Sequence, residues 1–192
     1  MRGLEQIPWI YDAMCAISEA TGLARWRGWL ARGARGLTLD LGCGTGRNLP
    51  LFPAEARVVG IDLPADSLRR ARKREPRARL VRASAEALPF RDGTFDTVVG
   101  GLVLCSVVRP DVAIGEVHRV LRDDGELRLL EHVRSVTRWK ARLQDLLQPA
   151  WTAISGGCHP NRDTEAAVLR RGFAIVERRA RNDMRRMALR KE

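Results

Sequence analysis

Leu39-Asp40-Leu41-Gly42-Cys43-Gly44-Thr45-Gly46 constrains this chain more than any other stretch. An apolar strand runs into an acid and then into alternating glycines. Such glycines admit positive φ and leave main chain bare for a ligand to approach. About twenty residues on, Val58-Val59-Gly60-Ile61-Asp62 repeats the plan, a β-branched strand ending in a carboxylate that can grip two vicinal hydroxyls. Two strands with these ends side by side are how a doubly wound α/β sheet holds a nucleoside at its carboxyl edge. The pattern is Asp-x-Gly-x-Gly-x-Gly, not the G-x-G-x-x-G of NAD-type sites.

The pattern along the chain predicts a single α/β domain. Apolar positions from Ile7 to Leu30 recur at helical spacing, with Gly22 dividing them into two short helices. Strands are expected at 37–41, 57–62, 79–82, 95–99 and 126–132, with a helix beginning in 46–52, helices at 65–75 and 110–121, and a turn at Asp124-Gly125. Residues 137–154, with Trp139, Leu143, Leu146, Leu147 and Trp151, read as a helical insertion, and 161–171 as a helix closed by Gly172. Residues 173–179 and 184–190 should pair as a hairpin on the sheet edge.

The stretch around Asp40 resembles the signature of class I S-adenosylmethionine (SAM)-dependent methyltransferases. The resemblance continues through Ala85-Glu86-Ala87-Leu88-Pro89-Phe90, Gly93-Thr94-Phe95-Asp96 and the segment from Glu116 to Glu126, covering residues 36–131 in order. These segments are similar to the small-molecule branch that includes ubiquinone and menaquinone biosynthesis enzymes. Leu130-Glu131-His132-Val133, Gln148-Pro149-Ala150-Trp151 and the segment from Gly156 to Thr164 look like a subgroup related to thiol S-methyltransferases and bacterial phospholipid N-methyltransferases. The implied fold is a Rossmann-like, seven-stranded, mostly parallel sheet with an antiparallel edge hairpin and helices on both faces. It would divide into a helical cap (1–35), a cofactor-binding core (36–132), a substrate-side insertion (133–165) and a C-terminal helix and hairpin (166–192).

By the same resemblance, Asp40 with Gly42, Cys43, Gly44 and Gly46 would hold the methionine end of SAM; an N-cap or turn aspartate is the plain alternative for Asp40. Asp62 would accept both ribose hydroxyls and Leu63 would cover the adenine. Relatives carry an aspartate for the adenine amino group where this chain has Ser84, a weaker neutral acceptor. Ala85 would offer its main-chain N–H to the ring. Gly100, Gly101 and Leu102 would lie by the sulfonium, although a strand-end bulge also explains two glycines. His132, at the end of the fifth strand, is the candidate catalytic base, against a hydrogen-bonded structural histidine. Cys105 reads as buried and apolar, and His118 as a helix residue without a role. Cys158 and His159 adjoin, but a zinc site needs more ligands, so no metal is expected.

The expected reaction is methyl transfer from SAM to a small, hydrophobic acceptor (thiol, phenol or quinone, or lipid amine), leaving S-adenosylhomocysteine. RNA methylation and a non-catalytic SAM-binding or scaffold protein are the alternatives. The net charge of +11 favours polyanions, but its arginines are scattered and lysine stands only at positions 73, 140 and 191. Solvated faces account for that pattern, and nucleic acid is not the expected partner. No apolar run approaches the roughly 20 residues that span a bilayer, leaving peripheral contact as the available membrane mode. Met1 to Gln6 lead into no signal-like apolar segment, and four cysteines without C-x-x-C spacing suit a reducing cytoplasm. A monomer or a homodimer is expected.

Overall fold

A computed structural model describes residues 22–154 and 157–192. The proposed cap helix before Gly22 lies outside the described residues; its second part is α1 (Ala24–Arg32). There follow β1 (Leu37–Leu41), β2 (Arg57–Asp62), α2 (Ala65–Arg74), β3 (Arg79–Arg82), β4 (Phe95–Gly101), α3 (Pro110–Val120), β5 (Leu121–His132), α4 (Arg138–Ile154), α5 (Thr164–Leu169), β6 (Phe173–Arg181) and β7 (Met184–Lys191). One seven-stranded sheet runs in the order β3-β2-β1-β4-β5-β7-β6. Strands β1 to β5 pair in parallel, and β7 enters antiparallel to both β5 and β6. The expected sheet and edge hairpin are thus present.

Strand order reverses between β1 and β4, both neighbours in the sheet centre, and their carboxyl ends open the crevice in which such folds bind ligands. Burial explains why these strands are central: Leu39, Leu41, Val98, Val99, Leu127 and Leu129 are all sealed from solvent. Helix α1 packs Leu30 and Ala34, the latter just beyond its end, against Val99 and Leu130. Arg128 seals its C-terminus: the guanidinium donates to the Leu30 and Trp29 carbonyls at 3.2 and 2.9 Å and stacks on Trp29. A cation there meets the negative end of the helix dipole.

Three local expectations are corrected. No α-helix follows the glycine turn; a single 3-10 turn spans Leu49–Leu51, because Pro50 and Pro53 deprive a longer helix of N–H donors. The expected turn at Asp124-Gly125 lies inside β5, which begins at Leu121. Phe95 pairs Leu121 and Thr97 pairs Glu126, so residues 122–125 bulge out and the strand resumes. The helix expected over 161–171 shortens to α5, capped by the Asp163 carboxylate accepting the Ala166 N–H at 3.0 Å.

Candidate cofactor and acceptor site

A cavity of about 300 Å³ occupies the crevice above β1, β2 and β4. Gly42, Gly44, Asp62, Leu63, Ser84, Ala85, Gly101 and Leu102 line it, all expected from the sequence. Asp62 organises its floor. One carboxylate oxygen accepts the Gly44 N–H at 2.7 Å and the other the Leu63 N–H at 2.8 Å. The acid at the end of β2 therefore ties down the glycine turn after β1, while its remaining lone pairs stay available. Burial still raises its pKa, against the two backbone bonds. Gly42 has φ +63°, and a Cβ there would fall 2.5 Å from Val103 Cγ2, so this turn needs glycine sterically as well as conformationally.

Asp40, Cys43, Gly46 and Gly100 are absent from the cavity lining, each for a packing reason. Asp40 is fully buried one layer behind. Its Oδ1 accepts Asn48 Nδ2 at 2.9 Å, and Asn48 Oδ1 accepts Arg27 Nη1 at 2.9 Å. Oδ2 of Asp40 has no hydrogen-bond partner among the described residues, and desolvation lifts the carboxyl pKa to about 7 despite Asn48 and Arg27. Cys43 turns its sulfur toward Gly60, where a Cβ would meet it at 3.0 Å. At Gly46 a Cβ would strike the Ala71 backbone of α2 at 2.9 Å, so this glycine serves helix packing. Gly100 faces Leu129 in the core.

The far wall was not legible as a site: Ser106, Val107 and Val108, from the loop after β4, together with Ser67 and Glu86. Two buttressing carboxylates shape that loop. Glu131, wholly buried, accepts the N–H groups of Val103, Leu104 and Cys105 at 3.0, 2.9 and 3.2 Å. Burial raises its pKa to about 7, with the three N–H bonds opposing. Glu86 accepts the Val108 and Arg109 N–H groups at 2.9 and 3.0 Å and Arg109 Nε at 2.9 Å. Just before the Glu131 anchor, Leu102 adopts φ +60°, a left-handed conformation costing about 1–3 kcal/mol in a non-glycine residue. Its N–H donates to the Leu130 carbonyl at 2.7 Å.

His132 does not line the cavity. It belongs to a cluster with Cys105 and Cys158, whose ligand atoms all lie within 4.8 Å of one another. The two sulfurs are 3.6 Å apart, and Cys105 Sγ is also 3.6 Å from Oγ of Ser106, a cavity residue. The hydrogen bond with Cys105, then contacts with His132 and Trp151, hold the Cys158 thiol below its usual range against the opposing effect of burial; the Cys105 thiol is pushed up. His159 is separate: its Nδ1 lies 2.7 Å from the Gly157 carbonyl. His118 stacks edge-on against Phe173, as a structural helix residue.

The lining fits SAM. A strapped glycine turn that a Cβ would block, an acid at the second strand end, Leu63 exposed beside it, and a buried carboxylate oxygen behind the turn with no partner among the described residues suit a nucleoside carrying a charged amino-acid tail. Residues 39–129 match the family model described as a methyltransferase domain. A human thiol S-methyltransferase is 34% identical over 147 residues, covering 72% of this chain and 60% of the relative. The phosphatidylethanolamine N-methyltransferase of Cereibacter sphaeroides is 39% identical over 108 residues, 53% of this chain and 52% of its own. The chain thus spans about 60% or less of the length of these curated relatives. A SAM-dependent methyltransferase of Thermotoga maritima superposes with a TM-score of 0.76 at 18% identity over 98% of both chains, a likeness of fold. Cavity, topology and relatives agree, and this chain carries a class I SAM-dependent methyltransferase domain.

Proposed function

We propose that the chain transfers a methyl group from SAM to the sulfur of a small, apolar thiol. The observation that carries the acceptor side is the wall of Leu102, Val103, Val107 and Val108, backed by the Cys105–His132–Cys158 cluster. Aliphatic side chains suit an uncharged acceptor, and a polar cluster one side chain behind them suits one that must lose a proton. Relatives named as thiol S-methyltransferases support the same acceptor. Helix α4 adds apolar surface: Trp139, Leu146, Leu147 and Trp151 are exposed, and no helix among the described residues is long and apolar enough to cross a membrane.

When bound, SAM supplies a methyl group on a sulfonium, an activated leaving group. The chain's own work is holding and proton handling. Asp62, Leu63, Ser84 and Ala85 hold the nucleoside, Gly42 and Gly44 clear room for it, and Asp40 places negative charge behind the turn. Glu131 and Glu86 keep the acceptor wall rigid, so alignment supplies much of the rate. The acceptor's proton leaves toward the cluster that holds His132.

The test is methyl transfer to alkyl and aryl thiols by wild type and His132→Ala. Turnover on thiols protonated at the assay pH should fall by about 10²–10⁴-fold, less on acidic thiols, with SAM affinity unchanged. Unaltered turnover on a protonated thiol would remove His132 from the chemistry. Methylation of amines or phenols, and of no thiol, would overturn the acceptor assignment.

A further inference from the structure

We infer that Cys105, His132 and Cys158 form a binding site for a zinc-class metal ion. The three residues come from the loop after β4, the last residue of β5 and the loop after α4, segments that the sheet topology alone brings together. Two thiol sulfurs and an imidazole nitrogen are the donor set that borderline-soft divalent ions select over calcium or magnesium. Spacing agrees. Two sulfurs bound at about 2.3 Å to one tetrahedral ion lie about 3.8 Å apart. Here they stand 3.6 Å apart, with the imidazole inside the same 4.8 Å span. Both sulfur carriers are buried.

The frame around the donors is held by bonds that do not use them. The Cys105 N–H donates to Glu131 at 3.2 Å, and its carbonyl accepts the His159 N–H at 2.7 Å. The Cys158 carbonyl accepts Thr152 Oγ1 at 3.0 Å. Arg162 Nη1 donates to the Leu104 and Val107 carbonyls, both at 2.7 Å, on either side of Cys105. Such outer support fixes ligand orientation and strengthens metal sites. Binding releases each thiol proton still present to solvent and leaves two thiolates and a neutral imidazole on the ion.

Three protein ligands leave a tetrahedral ion one open position. The nearby carboxylate does not fill it, since Glu131 is committed to three backbone N–H groups. Water takes the fourth place, and zinc brings the pKa of bound water near ~7. On the thiol-methylation reading above, the hydroxide form of that water would take the acceptor thiol's proton and become water again, while His132 serves as a ligand. The metal site itself is tested without turnover.

Protein purified under reductant is stripped with chelator, then titrated with zinc against a chromophoric chelator and with cobalt(II). One ion per chain is expected, with thiolate-to-cobalt charge transfer and the intense visible bands of a tetrahedral ion. Cys105→Ser and Cys158→Ser should each weaken zinc by at least about 100-fold. His132→Ala should do the same, while His159→Ala keeps full affinity. Circular dichroism identifies any variant that fails to fold, and the cobalt spectrum of wild type stands without variants. Absent charge transfer, zinc binding weaker than tens of micromolar, or a Cys105–Cys158 disulfide in the reduced preparation would overturn the site. A loaded site with no thiol methylation would refute only the acceptor.

Discussion

Asp40→Asn separates what the buried acid costs the fold from what it does for the cofactor. The carboxyl is fully buried, one oxygen lacks a partner among the described residues, and its pKa rises from 3.8 to about 7. A raised acid pKa means that the folded chain holds the proton more tightly than the unfolded one. This contribution is therefore present at low pH and is lost as pH climbs from about 4 to 7. The shift corresponds to about 4 kcal/mol at pH 8. Asparagine has the same shape, its oxygen can still accept Asn48 Nδ2, and it carries no charge to desolvate. At pH 8 the variant should be more stable than wild type by up to about 4 kcal/mol, and the gap should close toward pH 4. Arg27, buried behind Asn48, loses an anionic neighbour and makes that figure an upper bound. Urea denaturation across this pH range, comparing variant with wild type, cancels every other titrating group. SAM should bind the variant roughly tenfold more weakly at pH 8, because the negative charge behind the turn that attracts a cationic ligand is gone. Destabilisation at pH 8, or a difference between the two proteins that does not change with pH, would refute the reasoning.

Two further variants address the cavity itself. Asp62→Ala removes both the clasp on Gly44 and Leu63 and the expected ribose acceptor. SAM affinity by calorimetry should fall by at least about 2 kcal/mol, with some stability lost as well. Gly42→Ala places a Cβ 2.5 Å from Val103 Cγ2 at a positive φ, so SAM binding should be lost or severely weakened while the fold, read by circular dichroism, is retained.

The cofactor half of the site was legible because its residues are local: a strand, a turn and a strand end, each with its own spacing. Asp62, Leu63, Ser84 and Gly101 all reach the cavity as the motif implied. That Asp40 would stand one layer behind the cavity was not legible, because the partners that bury it, Asn48 and Arg27, come from the following turn and from α1. No spacing announces such a contact. The same holds more strongly for Cys105, His132 and Cys158. Adjacent Cys158 and His159 drew attention in the sequence, yet His159 turns to its own loop and the sulfur meets groups 53 and 26 positions away. The early stop after Leu51 could have been read from Pro50 and Pro53, but the glycine motif pointed to a helix.

Glu131 links the two halves. A buried carboxylate with a raised pKa is expensive, and an apolar residue on β5 would remove that cost. Its three backbone acceptances explain why it is there. The loop from Leu102 to Cys105 must leave β4 through a left-handed Leu102, turn Val103 under Gly42, and deliver the Cys105 sulfur beside Cys158. No regular secondary structure satisfies those N–H groups, and three buried unpaired donors would cost about 1–3 kcal/mol each. One carboxylate on the neighbouring strand satisfies all three and adjoins His132 in sequence. The cofactor cavity and the sulfur–imidazole cluster are therefore built on one loop, and Glu131 anchors the stretch from Val103 to Cys105 that they share, so a shift on either side is transmitted through the same few bonds.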